Sequence, residues 1–85
     1  MSYRINIEKT AVKKLKKLPQ LEQKRIGKKL RELEQNPRPR DCKKLKGETN
    51  LYRIRSGNYR VIYSIQDAEL IVLVIRVGHR SSIYE

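Results

Sequence analysis

The chain has 85 residues, too few to divide into two separately cored units, so residues 1–85 read as a single domain. Hydrophobic residues make up 38% of it, enough for one small core, and this excludes a chain disordered on composition alone. Lys and Arg number 21 against 9 for Asp and Glu, a formal net charge of +12; such an excess attracts polyanions, either nucleic acid or an acidic protein partner.

The aromatic residues are five Tyr, with no Trp or Phe, so the expected core is aliphatic with tyrosines at its polar margins. The single cysteine, Cys42, cannot form an internal disulfide and has no second thiol to share a metal with, so neither a metal nor a cofactor is expected. Met1 to Ile5 lacks the apolar run of a signal peptide. The longest apolar run, Leu70 to Ile75, is far too short to span a membrane. A cytoplasmic location is the expectation.

Ser2 to Ile7 alternates, with Tyr3, Ile5 and Ile7 on one side, and predicts a half-buried strand. From about Glu8 the period changes to a helical stripe of Ala11, Val12, Leu15 and Leu18, with lysines on the remaining faces. Pro19 ends that helix or opens the next. The second helix carries Ile26, Leu30 and Leu33 and runs to about Gln35, where Asn36-Pro37-Arg38-Pro39 stops it. Gly27 inside it costs about 1 kcal/mol relative to Ala, a cost that close packing of the two helices would explain. The lysines of both helices, Lys13, Lys14, Lys16, Lys17, Lys24, Lys28 and Lys29, read as a solvated face with long-range attraction to polyanions.

Arg40 to Asn50 reads as a basic, irregular connection ending in Lys44-Leu45-Lys46-Gly47. The strand pattern then returns: Leu51 to Arg55, a turn at Ser56-Gly57-Asn58, Tyr59 to Gln66, a turn at Asp67-Ala68-Glu69, and Leu70 to Val77. The last is apolar on both faces until Arg76, which predicts a strand in the middle of a sheet, covered on each side.

From residue 51 onward there is no lysine, and the basic residues are Arg53, Arg55, Arg60, Arg76 and Arg80, with one His79. Alternation places Arg53 and Arg55 on one face of their strand, and Arg76 and, if the strand extends that far, Arg80 on one face of theirs. Arg60 joins them if the first loop holds an even number of residues and the second an odd number. One face would then carry a cluster of guanidinium groups suited to phosphate, because the planar fork donates two hydrogen bonds at once and stays charged. Each arginine alone reads equally well as an outward-facing strand residue.

Tyr59-Arg60-Val61-Ile62-Tyr63, preceded by Leu51-Tyr52-Arg53-Ile54-Arg55 and followed by Val77-Gly78-His79-Arg80 and Tyr84, resembles the RelE branch of the RelE/ParE toxins. Lys44-Leu45-Lys46-Gly47 and Asn36-Pro37 match as well, and the resemblance covers nearly the whole chain. It implies an α+β fold (β-α-α-β-β-β), with an N-terminal strand and a helical hairpin packed on one face of a mainly antiparallel twisted sheet. It also implies a toxin of a toxin–antitoxin pair, a ribosome-dependent endoribonuclease that cleaves messenger RNA without a metal. The implied partners are a cognate antitoxin, the ribosome and messenger RNA, with operator DNA reached only through the antitoxin complex.

Carried over by position, Arg53 and Arg55 fall where relatives have two catalytic lysines, and Arg60 and Arg80 fall on catalytic arginines. Tyr84 falls on a C-terminal tyrosine near the scissile nucleotide, where it would stack on a base or seal the edge of the core. Lys44, Lys46, Arg76 and His79 are the expected RNA-binding residues. His79 is the one side chain that titrates near neutrality unperturbed, although alternation points it away from Arg80. Lys43 stands near the position of a carboxylate used by another branch. Two other functions fit the same fold: a ParE-like DNA gyrase inhibitor, and an RNA- or ribosome-binding module without catalysis.

Overall fold

The computed structural model describes residues 2–47 and 50–79. The elements run β1 (Arg4–Ile7), α1 (Lys9–Lys16), α2 (Gln20–Gln35), β2 (Lys43–Lys44), β3 (Leu51–Ser56), β4 (Tyr59–Gln66) and β5 (Ile71–His79). The five strands form one mixed sheet in the order β1-β5-β4-β3-β2. All pairings are antiparallel except β1 with β5, which is parallel and sets Arg4 against Ile71 and Ile7 against Val74. The expected α+β architecture is therefore present, with one further strand, β2, inside the connection read as irregular. A strand of two residues lies below the length at which alternation can be recognised.

One face of the sheet meets the helices. Ile54 of β3, Val61, Tyr63 and Ile65 of β4, and Val72, Val74 and Val77 of β5 are buried with Ala11, Ile26, Leu30 and Leu33. Each fully buried aliphatic side chain contributes about 1.5–3 kcal/mol of transfer free energy. Leu15 and Leu18 of the α1 stripe pack at the margin of this core. The helical hairpin is closed by Gln23, whose side-chain amide donates to the Leu18 carbonyl at 2.8 Å and so satisfies an acceptor left over at the end of α1. Gly27 is not a close-packing position: a Cβ built there meets only the Arg31 guanidinium, at 3.7 Å.

As expected, β5 is interior to the sheet, lying between β1 and β4. Among the described residues, however, no further layer covers its second face. Ile71, Leu73 and Ile75 are half-buried there by their neighbours in the sheet.

Far from the β3–β4 turn, a polar latch joins four segments. Arg38 donates to both carboxylate oxygens of Asp67, at 3.2 and 2.8 Å, and to the Tyr52 hydroxyl at 3.1 Å. Tyr3 donates its hydroxyl to Asp67 at 2.7 Å. The guanidinium of Arg38 also lies over the Tyr52 ring, which stacks on Tyr63. Tyr63 itself is buried and donates to the Pro37 carbonyl at 2.8 Å. Burial, reinforced by Cys42, raises its phenol pKa far above the ordinary value, so this hydroxyl remains a donor.

Candidate functional site

The face of the sheet turned away from the helices carries the arginines. Across β3 and β4, Arg53 faces Ile62 and Arg55 faces Arg60. Across β4 and β5, Ile62 faces Arg76 and Arg60 faces Gly78. Two rows result. The first reads Lys43, Arg53, Ile62, Arg76 from β2 to β5, and the second reads Arg55, Arg60, Gly78. Neighbouring strands lie about 4.8 Å apart, so Arg53 and Arg76 stand two strand spacings apart on either side of Ile62.

The parity condition is met by the first loop and not by the second, yet the arginines still share a face. The β3–β4 loop is the two-residue turn Gly57-Asn58, with Gly57 at φ +61°. Glycine with positive φ at the first loop position suits the primed turns that match strand twist. The loop between β4 and β5, Asp67 to Leu70, holds four residues, an even number that would put Arg76 on the helix side. A β-bulge corrects this. Tyr63 faces Val74 and Ile62 faces Arg76, which leaves Ile75 as the extra residue. The driving force is burial: Val74 and Val77 are both inside the core, and an unbroken ladder would place Arg76 among the aliphatic side chains instead of Val77.

Arg53 and Arg60 are largely withdrawn from solvent, at 9% and 8% exposure, whereas Arg55 and Arg76 are exposed. Burial, and then the proximity of Arg55, lowers the pKa of Arg53 below the usual guanidinium value. A desolvated guanidinium beside a like charge gains relief of repulsion from an incoming anion. A cluster of this kind is chemically suited to an anion such as a phosphate.

The other candidates fall elsewhere. His79 faces Tyr59, with the rings edge to face at 5.7 Å, on the face opposite Arg60. Lys44 faces Tyr52 and so points opposite to Lys43, and Lys46 follows β2 in the loop; both are exposed. Lys43 joins the arginine row through its pairing with Arg53, a placement that sequence reasoning missed because only the register of β2 reveals it. Arg80 and Tyr84 lie outside the described residues. Among the described residues no three His, Cys, Asp or Glu side chains gather into a metal-binding group.

Residues 5–84 match the family described as ParE toxin of type II toxin-antitoxin system, parDE. The chain is 35% identical to the mRNA interferase toxin RelE of Escherichia coli, with 99% of this chain and 92% of that protein aligned. It is 42% identical to the toxin RelE3 of Methanocaldococcus jannaschii over 91% of this chain and 90% of that one. Among solved structures it resembles the toxin in the archaeal RelE–RelB complex of Pyrococcus horikoshii, with a TM-score of 0.86 and 37% identity, covering 96% of this chain and 99% of that one. The isolated E. coli RelE toxin gives a TM-score of 0.83 at 31% identity, over 92% and 84% of the two chains. With the same helical hairpin on the same kind of mixed sheet, the chain belongs to the RelE/ParE superfamily of type II toxins, on its RelE-like side.

Proposed function

We propose that the protein is an endoribonuclease that cuts messenger RNA on the ribosome and is restrained by a cognate antitoxin. The observation that carries this reading is the gathering of Arg53, Arg55, Arg60 and Arg76 on one sheet face. The naming of a similar toxin as an mRNA interferase supports it. So does the RelE–RelB pairing seen in related structures, from which the acidic partner suited to a +12 chain is inferred to be an antitoxin.

Cleavage would proceed by attack of a ribose 2′-oxygen on the adjacent phosphorus. The 2′-O–P bond forms, the P–O5′ bond breaks, the 2′-hydroxyl gives up a proton and the departing 5′-oxygen takes one. Arg53, Arg60 and Arg76 hold the phosphate and neutralise the charge that grows on its oxygens, an effect worth about 10²–10³ per well-placed donor. Arg55 completes the cluster from the exposed edge. In this reading Arg80 and Tyr84 also serve the reaction, as the family resemblance implies, and Lys43 extends the phosphate contacts. Guanidinium groups accept protons poorly, and His79 faces away. Much of the acceleration must then come from holding the 2′-oxygen in line, worth about 7–11 kcal/mol when fully realised. A ribosome that fixes the message conformation would supply that alignment, which supports ribosome dependence. A target on the ribosome places the protein in the cytoplasm, and operator DNA would be met only through the antitoxin complex.

The test is mapping of messenger RNA 5′ ends in a purified translation reaction, with and without ribosomes. The wild type is compared with an Arg60→Ala, Arg76→Ala double variant. Cuts within translated codons that require ribosomes and fall at least 100-fold in the variant support the reading. The ParE description of the matched family favours a second reading, inhibition of DNA gyrase. Uncut message together with loss of plasmid supercoiling would establish that one instead.

A further inference from the structure

A groove of about 440 Å³ runs between α2 and the β3–β4 turn, lined by Arg25, Lys28, Lys29 and Glu32 on one wall and Arg55, Ser56 and Gly57 on the other. Its volume falls in the ~300–1,000 Å³ range of small-ligand sites, and its lining is polar and predominantly cationic. Lys29 is committed to Asp41 at 2.8 Å. Arg25 touches Glu22 at 3.5 Å while remaining largely exposed. Among the described residues, no carboxylate pairs with Lys28 or Arg55.

The carboxylates are placed to bound the cationic stretch. Glu22 sits at the turn end, where its carboxylate would lie 3.4 Å from a Cβ on Gly57, and Glu32 lies ten residues further along α2. At about 1.5 Å per residue they bracket roughly 15 Å, room for one or two nucleotides rather than an open polyanion track. Arg55 is the link. It lines this groove and also faces Arg60 on the arginine face.

We propose that this groove is a second phosphate-binding subsite for single-stranded RNA. It would receive a nucleotide flanking the one held on the arginine face, with the strand passing over the β3 edge at Arg55. The proposal rests on the reading of the arginine face as an RNA site. An acidic peptide would also favour cations. Continuity with the arginine face through Arg55, and the confinement between two carboxylates, favour a chain of single, spaced phosphates.

The experiment measures anisotropy of labelled 2′-O-methyl RNAs of four and ten nucleotides bound to the full chain at several salt concentrations. Three proteins are compared: wild type, an Arg25→Gln, Lys28→Gln double variant, and an Arg31→Gln, Lys13→Gln control of equal charge. Thermal melting checks that all three are folded. The expected result is that the groove variant loses about tenfold in affinity for the ten-nucleotide RNA and keeps its affinity for the four-nucleotide RNA. Its salt slope falls by about 1.4, the value for two lost single-strand phosphate contacts. The control changes less than threefold. Equal losses in both variants, or no loss in the groove variant, overturn the subsite while leaving the arginine face as an RNA site. Wild type that binds neither RNA overturns both the subsite and the reading of the arginine face as a site for free RNA.

Discussion

Arg55 and Arg60 face each other directly across the β3–β4 ladder, two like charges at cross-strand neighbouring positions. Such pairs destabilise a sheet by roughly 0.2–1 kcal/mol, and the repulsion is retained where the phosphate is proposed to bind. Arg55→Gln is therefore expected to raise the melting temperature by about 2–6 °C while reducing RNA cleavage at least tenfold. A variant that melts lower would show that the two guanidinium groups do not repel across the ladder.

The Tyr63 hydroxyl is buried and satisfies the Pro37 carbonyl, which fixes the connection leaving α2 onto the edge of the core. Tyr63→Phe removes the donor and strands the acceptor. A loss of about 1–2 kcal/mol is expected in urea unfolding, with little change in the slope of the transition.

Asp67 is held down to about 2 from an ordinary 3.8, first by the Arg38 hydrogen bonds and then by Tyr3. A depressed carboxylate pKa stabilises the fold above the unfolded value and loses that contribution as pH falls through the folded value. Melting temperature should thus fall as pH drops from 4 towards 2, and Asp67→Asn should flatten that limb. An unchanged acid limb in Asp67→Asn would show that other carboxylates govern it.

Ile75 is the extra residue of the bulge. Deleting it leaves Val74 opposite Tyr63 and Arg76 opposite Ile62 in an unbroken ladder, so the faces are preserved. The deletion variant is expected to fold, with a melting temperature within about 5 °C of the parent. Amide spectra should change around residues 62–63 and 74–76 and little elsewhere. Collapse of the fold would mean that the local kink itself is required.

The elements that were legible in the sequence were those whose burial imposes a period. The α2 stripe of Ile26, Leu30 and Leu33 and the alternation of Tyr59 to Gln66 each state which side faces inward. The arginine face was legible only conditionally, because loop length decides which residues face one another across a hairpin. The turn at Gly57-Asn58 met its condition. The β4–β5 connection did not, and the compensating bulge depends on where Val77 finds room in the core. Lys43 joined the row through a strand of two residues, too short to leave a pattern. The latch of Arg38, Asp67 and Tyr3 joins residues far apart in sequence, where no local spacing announces it.

The position of β5 has a consequence for how the protein comes into being. Among the described residues it is the last strand in chain order, yet it lies between β1 and β4, and Arg4 waits for Ile71 before its ladder can close. Contacts so distant in sequence form late, after the entropy of closing the intervening chain has been overcome. A nascent chain emerging with its helices and β3–β4 hairpin complete still lacks both the strand that joins its two ends and the Arg76 that it carries. The arginine face is thereby complete only once β5 has found its place between β1 and β4, which ties the whole cluster to closure of the sheet.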